Sequence, residues 1–284
     1  MATLQISGSP IEYVELGAGE PVFLLHSSGS SSVQWRALAE RLSHRYRVIA
    51  PDSYGHGGTA HWPGARPFHL ECEAEIVLAL LERVNEPAHL VGHSYGGAVA
   101  LHVAGIHTEL LRSLTLIEPA AFHLLRGADT PALAEIREIA EIVTRAVARG
   151  EYVAGFEHFV DYWTSPAAAA EVPAYKRFAM ASRLPKIALE FHATLNEPTR
   201  LEDLRSMSVP TLLLHGTGSP WPTRRICDLL ERILPRARLK TIGGAGHMSP
   251  VTHRDQVNAL IMSQIDSNSR QPARRVQELE PALS

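Results

Sequence analysis

The chain reads as an α/β protein: a mostly parallel, doubly wound sheet flanked by helices, with an inserted all-helical segment. Three observations predict this. Apolar runs such as Pro21-Val22-Phe23-Leu24-Leu25 and Leu212-Leu213-Leu214 have the length of strands and no polar face, as expected of strands covered on both sides. They alternate with stretches whose apolar residues recur at helical spacing. Between residues 120 and 204 the alternation stops, and it resumes afterwards, which marks an insertion.

Composition sets the outer limits. With 284 residues, a hydrophobic share of 45% and a charged share of 20%, the chain can bury a substantial core. A formal net charge of −3 gives no basic surplus to attract nucleic acid or an anionic membrane. Cys72 and Cys227 are far apart and suggest neither a disulfide framework nor a thiolate metal cluster. The 15 histidines are scattered, without an H-E-x-x-H pattern, so no metal site is expected. The opening residues lack a basic segment followed by a long apolar run, and no stretch approaches membrane-spanning length. A cytoplasmic protein is expected, with homodimer formation left open.

Taken in order, Thr3 to Ser7 and Ile11 to Leu16 form an opening hairpin around Gly8-Ser9-Pro10. Pro21 to Leu25 is a buried strand that ends in His26-Ser27-Ser28-Gly29-Ser30-Ser31-Ser32. This serine-rich loop precedes a helical pattern from Val33 to Leu42 and lies at the carboxyl edge of the sheet, where ligands bind in such folds. Arg47 to Ala50 is the next strand. Asp52 and His56 follow it in a glycine-rich turn, where the aspartate is expected to bind backbone donors. His69 to Val84 is helical, and Ala88 to Val91 leads into Gly92-His93-Ser94-Tyr95-Gly96-Gly97.

That sextet is a G-x-S-x-G pattern between a buried strand and a helix. Gly92 and Gly96 permit a sharp turn that lifts Ser94 above the sheet, and the Tyr95 N–H opens the helix where an oxyanion would form. Gly97 to His107 continues as helix, and Arg112 to Ile117 is a strand delivering Glu118 at its carboxyl end. Helical patterns follow over 131–149, 151–163 and 172–184, with Pro185 and Pro198 read as breaks. Most aromatics there, Phe156, Phe159, Tyr162, Trp163, Phe178 and Phe191, are expected to pack in the insertion, and some to line an apolar pocket. Val209 to Gly216 and Ala237 to Ile242 are the last strands, separated by a helix over 223–234. Gly246-His247-Met248 precedes a closing helix from Pro250 to Ile265. The expected division is 1–119 and 205–266 for the core, 120–204 for a helical cap and 267–284 for a polar, mobile tail.

These motifs, His26-Ser27-Ser28-Gly29, Asp52 to Gly57, Gly92 to Gly97 and Gly246-His247, stand in the order of the α/β-hydrolase family, which residues 3 to 265 resemble. The resemblance implies Ser94 as nucleophile, His247 as general base, and oxyanion donors from the Ser28 and Tyr95 backbones. Family members usually carry an aspartate after the strand ending at His215, but here Ser219 stands in that place. Some haloalkane dehalogenases place the acid after the preceding strand, where this chain has Glu118, so Glu118 is the expected acid. A Ser219- or water-assisted dyad and Asp203 remain alternatives. Ser27, His93, Trp163, Trp221 and Met248 are expected to contact substrate. Serine at position 94 disfavours dehalogenase and epoxide hydrolase chemistry, which use aspartate there. The implied activity is hydrolysis of an ester or related acyl bond in a small molecule, without cofactor. C–C bond hydrolysis, lactone hydrolysis, cofactor-free perhydrolysis and a non-catalytic ligand receptor are the rival readings.

Overall fold

The computed structural model describes residues 1–6, 8–64 and 66–269. In chain order the elements are β1 (Ala2–Ile6), β2 (Ser9–Leu16), β3 (Pro21–Leu25), α1 (Arg36–Leu42), β4 (Arg47–Pro51), α2 (Leu70–Val84), β5 (Ala88–His93), α3 (Tyr95–Ile106) and β6 (Leu111–Ile117). Helices α4 (Thr130–Arg149), α5 (Tyr152–Trp163), α6 (Ala168–Glu171), α7 (Ala174–Ala181) and α8 (Leu184–Asn196) come next. The chain then forms β7 (Thr211–Gly216), α9 (Trp221–Ile233), β8 (Ala237–Ile242), α10 (Ser249–Thr252) and α11 (Arg254–Asn268).

The eight strands form one sheet in the order β1-β2-β4-β3-β5-β6-β7-β8. β1 and β2 are antiparallel to their neighbours, and β3 to β8 run parallel. Alternate residues of the central strands enter two different cores. Val22, Leu24, Val91, Leu212 and Leu214 pack on one face with Trp35, Leu38, Val257 and Ile261 from α1 and α11 and the turn before α1. Phe23, Leu25, Leu90 and Leu213 enter the other core with residues of α2, α3 and α9. Both faces are covered, which is why these strands read as unbroken apolar runs.

Between β6 and β7 the chain is helical, and three expectations there are corrected. Within 172–184 the helix is the shorter α7, with Leu184 already opening α8, and Pro185 does not break structure. It lies in the first turn of α8, where its missing N–H is not needed. Phe178 is 75% exposed rather than packed. At the far end α11 extends to Asn268, beyond the expected end of the closing helix at Ile265, and the Tyr46 hydroxyl donates to Asp266 Oδ1 at 2.6 Å. Residues 270–284 of the expected tail lie outside the described residues. Among the described residues no helix is long and apolar enough to cross a membrane.

Candidate active site

Ser94 sits between β5 and α3 with φ 54° and ψ −116°, a left-handed backbone that costs a non-glycine residue on the order of 1–3 kcal/mol. Neighbouring backbone fixes it there. Ser94 N–H donates to Ile117 O at 2.9 Å, Ala120 N–H donates to Ser94 O at 2.9 Å, and Gly96 N–H donates to His26 O at 3.1 Å. The flanking glycines are required sterically: a Cβ on Gly92 would stand 2.3 Å from Gly96 O, and one on Gly96 2.5 Å from Leu25 O. The strained turn therefore follows from close backbone approach on both sides.

β6 ends one strand away, and Glu118 leaves it with φ 44°, a second left-handed residue. Its side chain is fully buried. Oε1 accepts from Gly216 N–H at 3.0 Å and Ser219 Oγ at 2.6 Å, and Oε2 accepts from Thr223 Oγ1 at 3.0 Å. His247, in the loop between β8 and α10, lies with Nδ1 2.7 Å from Glu118 Oε2 and Nε2 3.0 Å from Ser94 Oγ. Burial acts to raise the Glu118 pKa, but the adjacent His247 and the converging donors outweigh it and pull it down to about 2. The carboxylate is thus ionised, and an ionised acceptor at Nδ1 places the imidazole proton there and leaves Nε2 free to accept from Ser94.

Ser219, at the position where the family usually carries its acid, hydrogen-bonds Glu118 instead of His247. Asp203 is held by Arg200 at 2.9 Å in a turn before β7 and is not brought to His247.

A narrow cavity opens beside Ser94. Its walls include Ser28 and Tyr95, the aromatic side chains of Phe122, Phe159, Trp163 and Phe191, and the carboxylate-bearing Glu190. Trp163 also lies over His247, with ring centroids 4.4 Å apart. As the first residue of α3, Tyr95 has an N–H without an intrahelical acceptor.

Of the five side chains expected to contact substrate, Trp163 borders this cavity, whereas Ser27, His93, Trp221 and Met248 are not among its walls. Ser27 and His93 belong to a supporting chain behind the site. Ser27 N–H and Oγ both reach Gln34 Oε1, Gln34 Nε2 lies 3.1 Å from His93 Nδ1, and His93 Nε2 lies 2.9 Å from His247 O. Burial lowers the His93 pKa to about 3, so a neutral ring donates through Nε2 to the His247 carbonyl and accepts from Gln34. Trp221 is 44% exposed at the start of α9, where its indole donates to Asp129. Met248 is half-buried before α10.

The site also contains groups that sequence reasoning missed. Glu190 and Lys186 lie on α8, and His56, expected only in a structural turn, donates through Nε2 to Glu190 Oε1 at 2.8 Å. The available signal was the spacing of Leu184, Ile187 and Phe191, which puts an apolar stripe on a helix whose first turn tolerates Pro185. Asp52, by contrast, binds backbone donors as expected, accepting from Ser32 N–H at 2.7 Å and Gly58 N–H at 3.0 Å.

Comparison with known proteins agrees with this architecture. The chain is similar to 2-hydroxymuconate semialdehyde hydrolase of a Pseudomonas species, with 26% identity over 86% of each chain. It is also similar to a pimeloyl-(acyl-carrier protein) methyl ester esterase of Neisseria meningitidis, with 28% identity over 86% of this chain and 92% of that protein. Among solved structures, a hydrolase from Pseudomonas aeruginosa matches with a TM-score of 0.73 and 27% identity, covering 92% of this chain and 97% of that one. Residues 22–260 match the alpha/beta hydrolase family, and the chain belongs to that family of hydrolytic enzymes.

Proposed function

We propose that the chain is a serine hydrolase of small, uncharged carboxylic esters that works through an acyl-enzyme at Ser94. The observation that carries this reading is the unbroken hydrogen-bond chain from Ser94 Oγ through His247 to the buried, ionised Glu118. Ser94 Oγ attacks the ester carbonyl while its proton passes to His247 Nε2, and Glu118 stabilises the resulting imidazolium. The backbone N–H groups of Tyr95 and Ser28 receive the oxyanion. Collapse expels the alcohol, which takes the proton from Nε2. Water then adds to the acyl carbon by the same route and releases the acid.

The cavity walls favour this substrate class. The mostly apolar, aromatic walls suit a short acyl group held by the helical cap formed by α4 to α8. None of the described wall residues is a lysine or arginine, and the charge of Glu190 is already paired with Lys186 behind the wall. The Pseudomonas relative named above acts on 2-hydroxymuconate semialdehyde, a carboxylate by its name. An anionic substrate of that kind finds no counter-charge on these walls, so the neutral ester is favoured over a carboxylate-bearing diketone.

The test is incubation with a fluorophosphonate followed by peptide mapping, with parallel assays on short nitrophenyl esters, lactones and a carboxylate-bearing ring-cleavage diketone. Label on Ser94 and turnover of the short esters are expected. A folded sample that takes no label would refute the nucleophile. Preferential turnover of the diketone would refute the substrate class.

A further inference from the structure

The loop that carries the Ser28 backbone is tied down from two sides. On the core side, Ser27 is held by Gln34. On the cap side, the Ser28 hydroxyl donates to Glu190 Oε2 at 2.5 Å, and Arg183 Nη1, at the start of α8, donates to Gly29 O at 2.5 Å. Glu190 is itself held without freedom. Its other oxygen meets Lys186 Nζ at 2.7 Å and His56 Nε2 at 2.8 Å, and Lys186 Nζ lies 2.9 Å from Glu73 Oε1 on α2. Glu73, Lys186 and Glu190 are 2%, 5% and 2% exposed. The Lys186 ammonium also lies 4.9 Å from the ring centroid of Tyr95, the residue that follows Ser94.

A buried ionic network is a poor way to gain stability, because well-packed apolar residues of similar volume serve as well or better. What such a network does supply is a fixed position for the atoms it holds. Burial acts to raise the Glu190 pKa, but Lys186 and His56 outweigh it and hold the carboxyl well below the usual range. It therefore stays a pure acceptor for the Ser28 hydroxyl. The ordering reaches the Ser28 loop from helix α8, more than 150 residues away in the chain.

We propose that Glu190 is a positioning residue: acting through the Ser28 hydroxyl, it sets the direction of the Ser28 N–H, so that the cap completes the oxyanion site. This rests on the reading that Ser94 is the nucleophile and that Ser28 N–H receives the oxyanion. It predicts that the cap contributes to the rate of the chemical step as well as to substrate binding.

The test uses the full chain with Ser28→Ala, Ser28→Thr, Glu190→Gln and Glu190→Ala, measuring kcat and KM on a short nitrophenyl ester. A second measurement is the affinity for an alkylboronic acid, which forms a tetrahedral anion on a reactive serine. Ser28→Ala leaves the ionic network intact and so keeps the test valid if Glu190→Ala does not fold. Ser28→Ala is expected to lower kcat by about 10- to 100-fold, less than outright loss of an oxyanion donor. KM should stay within about twofold, and boronic acid affinity should fall in step with kcat. Ser28→Thr, which restores a hydroxyl, should recover most of the loss, and Glu190→Gln, which keeps an acceptor, should lose less than Glu190→Ala. Wild-type kcat and boronic acid affinity in Ser28→Ala would overturn the proposal, as would a rise in KM alone. A wild-type chain that neither labels with fluorophosphonate nor cleaves esters would overturn the Ser94 reading and this proposal together.

Discussion

Replacing Glu118 by glutamine tests the acid assignment with almost no change in shape. The glutamine oxygen can keep the Gly216 N–H and Ser219 hydroxyl, which leaves its NH₂ facing Thr223 Oγ1 and His247 Nδ1. An amide NH₂ donates, so Nδ1 must become an acceptor and the imidazole proton moves to Nε2. Ser94 then has no base. The lost charge adds to this, since unit charges roughly 4 Å apart at an effective dielectric of about 20 interact by about 4 kcal/mol, or about 10³ in rate. An aspartate-to-asparagine change in a serine protease triad, where the tautomer error also acts, costs about 10⁴.

The expected loss in kcat for Glu118→Gln is therefore about 10³- to 10⁴-fold on a short nitrophenyl ester. KM should be nearly unchanged because Glu118 is not among the cavity walls. Ser219→Ala removes one neutral donor to the same carboxylate and should cost about tenfold or less. Thermal unfolding of each variant checks that the fold is intact. A kcat for Glu118→Gln within about tenfold of wild type, in a folded protein, would refute the assignment of Glu118 as the acid.

Three further outcomes follow from the structure. Burial lowers the pKa of His26, His89 and His123 to about 4 and of His93 to about 3, against an ordinary value of 6.5. Between pH 6.5 and 4 the unfolded chain binds more protons than the folded one, so stability present above 6.5 is lost as pH falls. Glu118, lowered from 4.5 to about 2, extends the loss below pH 4.5. Melting temperature should drop steadily from pH 6.5 downward, and a flat profile would contradict neutral buried histidines. Phe159→Ala, at a half-buried wall position, should enlarge the cavity and shift preference toward longer acyl esters, read as kcat/KM across a chain-length series. Lys186→Met would leave Glu73 and Glu190 buried without their shared cation and should cost about 3–5 kcal/mol in urea unfolding; a loss under about 1 kcal/mol would show that the network is already neutralised by other means.

Much of this site was legible along the chain because its signals are local. Gly92, Ser94 and Gly96 specify the turn within five residues, and the clashes that a Cβ would meet there are with backbone close by in the fold. Glu118 was readable because it follows a seven-residue strand directly, and a strand end in a parallel sheet has a defined edge. The unbroken apolar strands likewise announced a sheet covered on both faces.

Side-chain meetings over long separations were not legible. His93 occupies the variable place in the serine motif, and only the packing of β5 turns it away from the cavity to bond Gln34 and the His247 carbonyl. Trp221 and Met248 lie near the sheet edge in sequence, yet their backbone paths carry them out of the cavity walls. Pro185 looked like an end and proved to be a beginning, since proline is excluded from helix interiors but not from first turns, and with α8 went Lys186 and Glu190. The sequence alone determined the sheet, the elbow, the place of Ser94 and the candidates for base and acid, because backbone sterics and apolar periodicity act over a few residues. Tertiary structure decided which carboxylate meets His247, which aromatics form the cavity and how Glu190 reaches Ser28. Those contacts join positions 129, 69 and 162 residues apart, and only the packing of both sheet faces and the helical insertion brings them together.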